Sequence, residues 1–217
     1  MNQLTFKFPF KTNYFEEDFY VSTNNFEAYK LIETWPKWPS KFINIFGPSG
    51  CGKTHLANIL KKKINSVFIK ALNLNNSSLS LVKVKECFII DDYANNIEEK
   101  LFYSVLNQCY LSNQYIIINS LKPIQSNNVK LKDLKSRFDS FVNVGIDLPT
   151  DDLIKIIISK NFSDKQVKID NKLLEYILKN IDRSYSGIFD LIEKLDNLSL
   201  STGKSININL IKKALNK

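Results

Sequence analysis

Residues 47–54 of this chain, GPSGCGKT, have the types and spacing needed to hold a polyphosphate. They satisfy GxxxxGK[ST] with no mismatch. Gly47, Gly50 and Gly52 let the backbone curl until its N–H groups point inward at phosphate oxygens. Lys53 is placed to reach the β- and γ-phosphates, and the hydroxyl of Thr54 to hold Mg²⁺. Pro48, Ser49 and Cys51 complete the loop, with Cys51 read as a small filler. His55, the single histidine, follows the loop and is grouped with it, although helix packing or solvent is the default role of a lone histidine without metal-ligand partners. A second acidic element lies downstream in IIDD (89–92). A hydrophobic strand ending in an acid is where such NTPases place the Mg²⁺-side aspartate, so Asp91 takes that role. Asp92 follows at the place that orients or activates an attacking water. Two acids at one strand end repel each other unless a cation or donor is near.

These groups need a scaffold, and the flanking pattern predicts one. FINIF (42–46) is an apolar run that stops at Gly47, and HLANILKKK after the loop reads as a helix with Leu56, Ile59 and Leu60 on one face. SVFIKA (66–71) reads as a second, buried strand, ECFIIDD (86–92) as a third, YIIINS (115–120) as a fourth and SFVNVGI (140–146) as a fifth. EEKLFYSVLNQCYL (98–111) and KLKDLKSRF (130–138) read as helices between them, and 73–85 has no clear pattern. Strands that are continuous apolar runs alternating with helices predict an α/β fold with a five-stranded parallel sheet covered on both faces. In such a sheet Asn119 ends the fourth strand beside the phosphate loop, either touching the γ-phosphate or the water, or simply capping the strand. After Leu148-Pro149 only helical patterns follow. The expected division is a peptide at 1–12, a nucleotide-binding domain at 13–149 and a small helical domain at 150–217.

The net charge of +8 invites a nucleic-acid reading. The lysines are spread along the chain, however, and no aromatic-interleaved basic stripe occurs, so compositional bias explains the charge. No apolar run approaches the ~20 residues of a membrane-spanning helix, and Lys7, Lys11 and Glu16 to Asp18 interrupt any secretory core. Three cysteines without CxxC spacing fit reduced thiols. A cytoplasmic protein is expected, with no membrane partner.

Two arginines stand among 30 basic residues. Arginine, planar and permanently charged, suits phosphate oxygens in a way lysine does not, which singles out Arg137 in DLKSRF and Arg183 in NIDRSYSGIF; a surface ion pair is the alternative for each. The opening stretch QLTFKF (3–8) places Gln3, Leu4, Phe6 and Phe8 so that an extended peptide could bury alternate side chains in pockets of a partner, or form an edge strand.

Together these residues resemble the AAA+ ATPases, and among them the DnaA family of replication initiators, over nearly the whole chain. GKTHL (52–56) resembles the family's phosphate loop and IIDD its second motif. The resemblance implies that Arg137 is an arginine finger reaching a nucleotide on a neighbouring subunit. It implies that Arg183 opens the lid helix and contacts the nucleotide of its own subunit. EDFYVSTNNFEAY (17–29) looks like the segment that lies against adenine near Phe19 to Val21, so Val21 joins the nucleotide-contacting residues. A full initiator adds an N-terminal interaction domain and a DNA-reading helix-turn-helix, for which this sequence leaves no segment. That departure points to the Hda-like regulatory branch, whose members begin with a peptide that docks on the DNA sliding clamp. The implied cofactors are ADP or ATP with Mg²⁺. The implied partners are the initiator DnaA and the clamp, with DNA met only through the clamp and a homo-oligomer possible in principle. A helicase loader or transposition helper of related type is the alternative.

Overall fold

The computed structural model describes residues 14–82, 85–94 and 97–215. The chain divides into two compact units, one formed by Tyr14–Asp147 and one that begins at Leu148. In the first, helix α1 (Phe26–Glu33) precedes strand β1 (Phe42–Phe46), and α2 (Lys53–Lys63) leads to β2 (Ser66–Lys70). Then follow α3 (Ser78–Val82), β3 (Cys87–Tyr93), α4 (Glu99–Leu111), β4 (Tyr115–Ser120), α5 (Lys132–Asp139) and β5 (Val142–Gly145). The strands pair in the order β2-β3-β4-β1-β5, every pair parallel. This is the α/β sheet the apolar runs predict, and every carboxyl end points the same way.

The central strands β1, β3 and β4 are buried almost throughout. SVFIK is a correction: it forms an edge strand and is only half-buried, because a neighbour covers it on one side alone. Residues 73–85, which lack a legible pattern, contain the short helix α3. One face of the sheet packs on Phe102, Val105, Leu106 and Cys109 of α4 and on Leu134 and Phe138 of α5. Burial pushes the Cys109 thiol up to about 12, so it packs as a neutral apolar group.

A polar residue sits inside β1. Asn44 is fully buried, and its amide donates to the Ile118 carbonyl and the Ser120 hydroxyl, both at 2.8 Å. Its carbonyl accepts from the Ile124 N–H at 2.8 Å. Each of its hydrogen-bonding groups is used, so burial carries little penalty. The result locks the carboxyl end of β4 to β1, just below the phosphate loop. The Glu99 carboxylate of α4 accepts from the backbone N–H groups of Lys130 and Leu131, at 2.7 Å for Leu131. These backbone donors hold Glu99 below the usual carboxylate range. Both bonds are stronger to the ionised form, so their full stabilisation is present above that range and is lost as pH falls through the depressed value.

The second unit packs α6 (Asp151–Asp164), α7 (Asn171–Leu178), α8 (Tyr185–Thr202) and α9 (Ile208–Ala214) around Ile158, Phe162, Ile177, Ile188 and Leu195. Each helix starts at a side-chain cap: Thr150, Asp170, Ser184 and Asn207 accept from backbone N–H groups of the first turn, which fixes where each helix begins. No helix among the described residues is long and apolar enough to cross a membrane.

Replacing Asn44 by Ala strands the Ile124 N–H in the core and takes a donor from the Ile118 carbonyl, while the Ser120 hydroxyl keeps its bond to the Lys122 carbonyl. A loss of about 2–4 kcal/mol is expected, read from urea unfolding. A loss under about 0.5 kcal/mol, the range of an ordinary surface change, would show that the network does not secure the two strands.

Candidate functional site

The loop after β1 is drawn tightly into the end of the sheet. The Gly47 N–H donates to the Ser120 carbonyl at 3.2 Å, and a Cβ on Gly47 would come within 2.5 Å of the Ile146 carbonyl oxygen. Only glycine allows that approach. Gly52 caps α2 in the left-handed region, at φ +99°, and a Cβ there would also strike the Phe19 ring at 2.8 Å. The first turn of α2 therefore presents its unpaired N–H groups to the loop. Lys53 is 8% exposed, and its ammonium donates to the carbonyls of Gly47 (2.8 Å) and Pro48 (2.9 Å). The loop thus holds its own cation at its centre. Cys51 is buried beneath it, and burial pushes its thiol up against the opposing pull of Lys53; it is a neutral filler.

Asp91, two residues before the end of β3, is fully buried. The Thr54 hydroxyl donates to one carboxylate oxygen at 2.9 Å, and the Asn119 amide to the other at 2.7 Å. The Asn119 carbonyl oxygen is buried without a hydrogen-bond partner, an acceptor left over at the most enclosed point of the site. Mg²⁺ fits these groups: a hydroxyl and a carboxylate, two hard oxygen donors, stand together next to a phosphate loop. Thr54 and Asp91 would hold the ion, which supplies neutralisation of phosphate charge when bound. Asn119 lies within this hydrogen-bonded set, beside the phosphate loop.

Asp92 lies differently. Ile90 pairs with Ile118 but Tyr93 pairs with Ser120, so β3 carries one extra residue, a bulge. Asp92 takes it up at φ +56°, a conformation that Asp tolerates better than most residues. It is exposed and faces Lys70 of β2, 3.6 Å away.

The N-terminal segment straps across α2. Phe19 stacks on Tyr29 with centroids 5.9 Å apart and meets the His55 ring edge-on at 5.4 Å. A His55 ring nitrogen lies 2.6 Å from the Phe15 carbonyl oxygen; as the carbonyl only accepts, that nitrogen donates. His55 thus anchors the strap. Asn25 accepts from the Ser22 N–H and donates to the Tyr20 carbonyl, shaping the turn that carries half-buried Val21. No sequence rule foretold the Phe19–Gly52 contact, which joins this strap to the phosphate loop.

Arg137 sits at the other end of the sheet. Its guanidinium lies 4.1 Å from the Tyr110 ring centroid and donates to the Asn107 side chain at 2.7 Å. Tyr110 in turn meets Phe42, the first residue of β1. Gly47 follows the last, so the length of β1, about 13 Å, separates Arg137 from its own phosphate loop. Arg183 belongs to the second unit, where it is exposed and pairs with Asp151 at 3.3 Å. Gln3, Leu4, Phe6 and Phe8 lie outside the described residues.

Comparison with known proteins agrees with this geometry. A family model described as RNA helicase matches residues 43–141. The chromosomal replication initiator protein DnaA of Borrelia duttonii is 27% identical, the match covering 88% of this chain and 45% of that protein. DnaA of Treponema denticola is 25% identical over 88% of this chain and 46% of its own. The chain spans about half the length of the curated relatives it matches. Domain III of Thermotoga maritima DnaA superposes with a TM-score of 0.78 at 20% identity, covering 96% of this chain and 98% of that one. AMPPCP-bound DnaA from Aquifex aeolicus gives 0.67 at 22% identity, with coverage of 85% and 65%. The AAA+ fold is common to all of these structures and to this chain.

Lys53→Ala removes the central cation and Thr54→Ala the hydroxyl beside Asp91. Charged hydrogen bonds of about 1.5–3 kcal/mol correspond to an affinity loss of about 10- to 100-fold, measured by titration with a fluorescent adenine nucleotide. The Lys53 effect is expected with and without Mg²⁺, and the Thr54 effect only with it. Equal losses in both conditions for Thr54→Ala would remove the hydroxyl from the metal site.

Proposed function

We propose that this chain, a member of the DnaA family of AAA+ proteins, is an Hda-like regulator that binds ADP or ATP with Mg²⁺ and promotes hydrolysis of ATP held by the replication initiator. The placement of Arg137 carries this reading. A permanently charged, oriented guanidinium stands a strand's length from its own phosphate loop, beyond the reach of one side chain. In this reading it acts on a nucleotide held by another subunit, where it would stabilise charge developing on the transferred phosphoryl. Loop residues 47–54 and Asp91 hold the chain's own nucleotide, and AMPPCP bound to the Aquifex relative supports an adenine base. Val21 and Arg183 complete the nucleotide contacts. Gln3, Leu4, Phe6 and Phe8 dock on the sliding clamp in this reading, so DNA is met through the clamp. Asp92, turned to Lys70, orients the water only if that exposed pair opens. The protein works in the cytoplasm, and head-to-tail contact, with the initiator or with copies of itself, follows from a finger and a site on opposite ends of one sheet.

The match to a family described as RNA helicase favours a second reading, a stand-alone motor or loader that turns over its own ATP. One experiment separates the two. ATP is loaded on the initiator from the same source, clamp-bearing DNA is added, and hydrolysis is followed with and without this protein. Acceleration is expected, abolished without the clamp and reduced about a thousandfold or more by Arg137→Ala, the scale of arginine fingers elsewhere. Gln3→Ala with Phe8→Ala should remove clamp binding and leave nucleotide affinity unchanged. No acceleration, together with DNA-stimulated turnover of the protein's own ATP, establishes the motor reading instead.

A further inference from the structure

We propose that Asn107 and Tyr110 of α4 are positioning residues for Arg137: they orient its guanidinium before a partner arrives and leave its charge uncompensated for a phosphoryl group. The inference rests on the reading of Arg137 as acting on a nucleotide in another subunit.

Asn107 and Tyr110 are three residues apart on α4 and so share one face of the helix. Their two contacts constrain different motions. The Tyr110 ring under the guanidinium carbon at 4.1 Å sets the plane of the group. The bond from Nη2 to the Asn107 oxygen at 2.7 Å sets its rotation within that plane. The support continues into the core. Tyr110 leans on Phe42 with centroids 6.1 Å apart, and Phe42 meets Phe141 edge-on at 5.3 Å. Phe42 and Phe141 are buried, and Phe141 lies two residues past the end of α5. The same helix α4 also ties down the start of α5 through Glu99, which accepts from the N–H groups of Lys130 and Leu131. Leu134 and Phe138 anchor α5 in the core. Helix and side chain are therefore located by one element.

The choice of acceptor distinguishes positioning from ordinary surface packing. A carboxylate at position 107 would bind the guanidinium more strongly, and it would also cancel its charge. Asparagine orients without neutralising, and Arg137 has no carboxylate partner among the described residues. The chain's other arginine, Arg183, does pair with an aspartate. Most N–H groups of the Arg137 guanidinium remain available to an incoming ligand. A long side chain that is already ordered loses less freedom on engaging its target.

The test uses the full chain in the initiator assay, recording the maximal rate and the protein concentration giving half of it. Asn107→Ala and Tyr110→Ala should each lower the maximal rate about tenfold, with the half-saturating concentration, melting temperature and own-nucleotide affinity kept. Tyr110→Phe, which preserves the ring, restores the rate. Asn107→Asp is decisive. If the contact only stabilises the fold, the aspartate raises the melting temperature and leaves the rate alone. If it positions a charge, the rate falls despite the firmer contact. On an Arg137→Ala background none of these changes has further effect. Full rates in both Ala variants and in Asn107→Asp, with Arg137→Ala inactive, would overturn the positioning role alone. Full activity of Arg137→Ala would overturn it together with the reading beneath it.

Discussion

The buried carboxylate of Asp91 is the interaction around which the phosphate-binding end of the sheet is organised. A charge taken out of water costs several kcal/mol unless donors replace the lost solvent. Here the donors come from two other elements, Thr54 at the start of α2 and Asn119 near the end of β4. Their heights are therefore fixed against β3. Asn119 pairs in register with Ile45 of β1, so the strand that launches the loop is set by the same constraint. Below it, Asn44 joins β1 to β4 and to the Ile124 turn. The loop can curl steeply because the elements on either side of it cannot shift.

An all-parallel sheet has two chemically different ends. The carboxyl ends of β1, β3 and β4 collect the loop, Asp91 and Asn119. The amino ends carry Phe42, Tyr110 and Arg137. A side chain cannot cross from one to the other, so a site completed by two such subunits needs the amino-end surface of one to meet the carboxyl-end surface of the other. The geometry of one chain thus restricts how two of them, or this chain and a relative of the same fold, can meet.

The site was most legible where it is contiguous. GPSGCGKT and IIDD carry their chemistry in a few adjacent residues, and apolar runs ending at a glycine or an acid reveal strand ends without reference to anything distant. Asn44 was not legible: a single polar residue in FINIF has no evident partner until β4 lies beside it. The edge position of β2 depends on strand order, which composition does not encode. The orientation of Arg137 depends on Asn107 and Tyr110, some thirty residues earlier in the chain, and on α4 these read as ordinary members of a polar face. Phe19 reads as part of an adenine-facing stretch, yet its contact with Gly52 requires the left-handed turn that the loop itself creates.

The two arginines show how local partners set what one residue type can do. Arg137 is half-buried, stacked and bonded to a neutral amide, so its position is set and its charge is free. Arg183 is exposed and pairs with the Asp151 carboxylate in the first turn of α6. An exposed pair of this kind is worth under about 1 kcal/mol. Asp151 has a use without the arginine, since a negative charge in the first turn of a helix is favourable on its own. Separating the two therefore costs little, and a phosphate, with more charge and more acceptor oxygens than one carboxylate, competes well for the guanidinium. The ion pair is compatible with Arg183 serving a nucleotide, whereas a buried carboxylate at the same place would have opposed it.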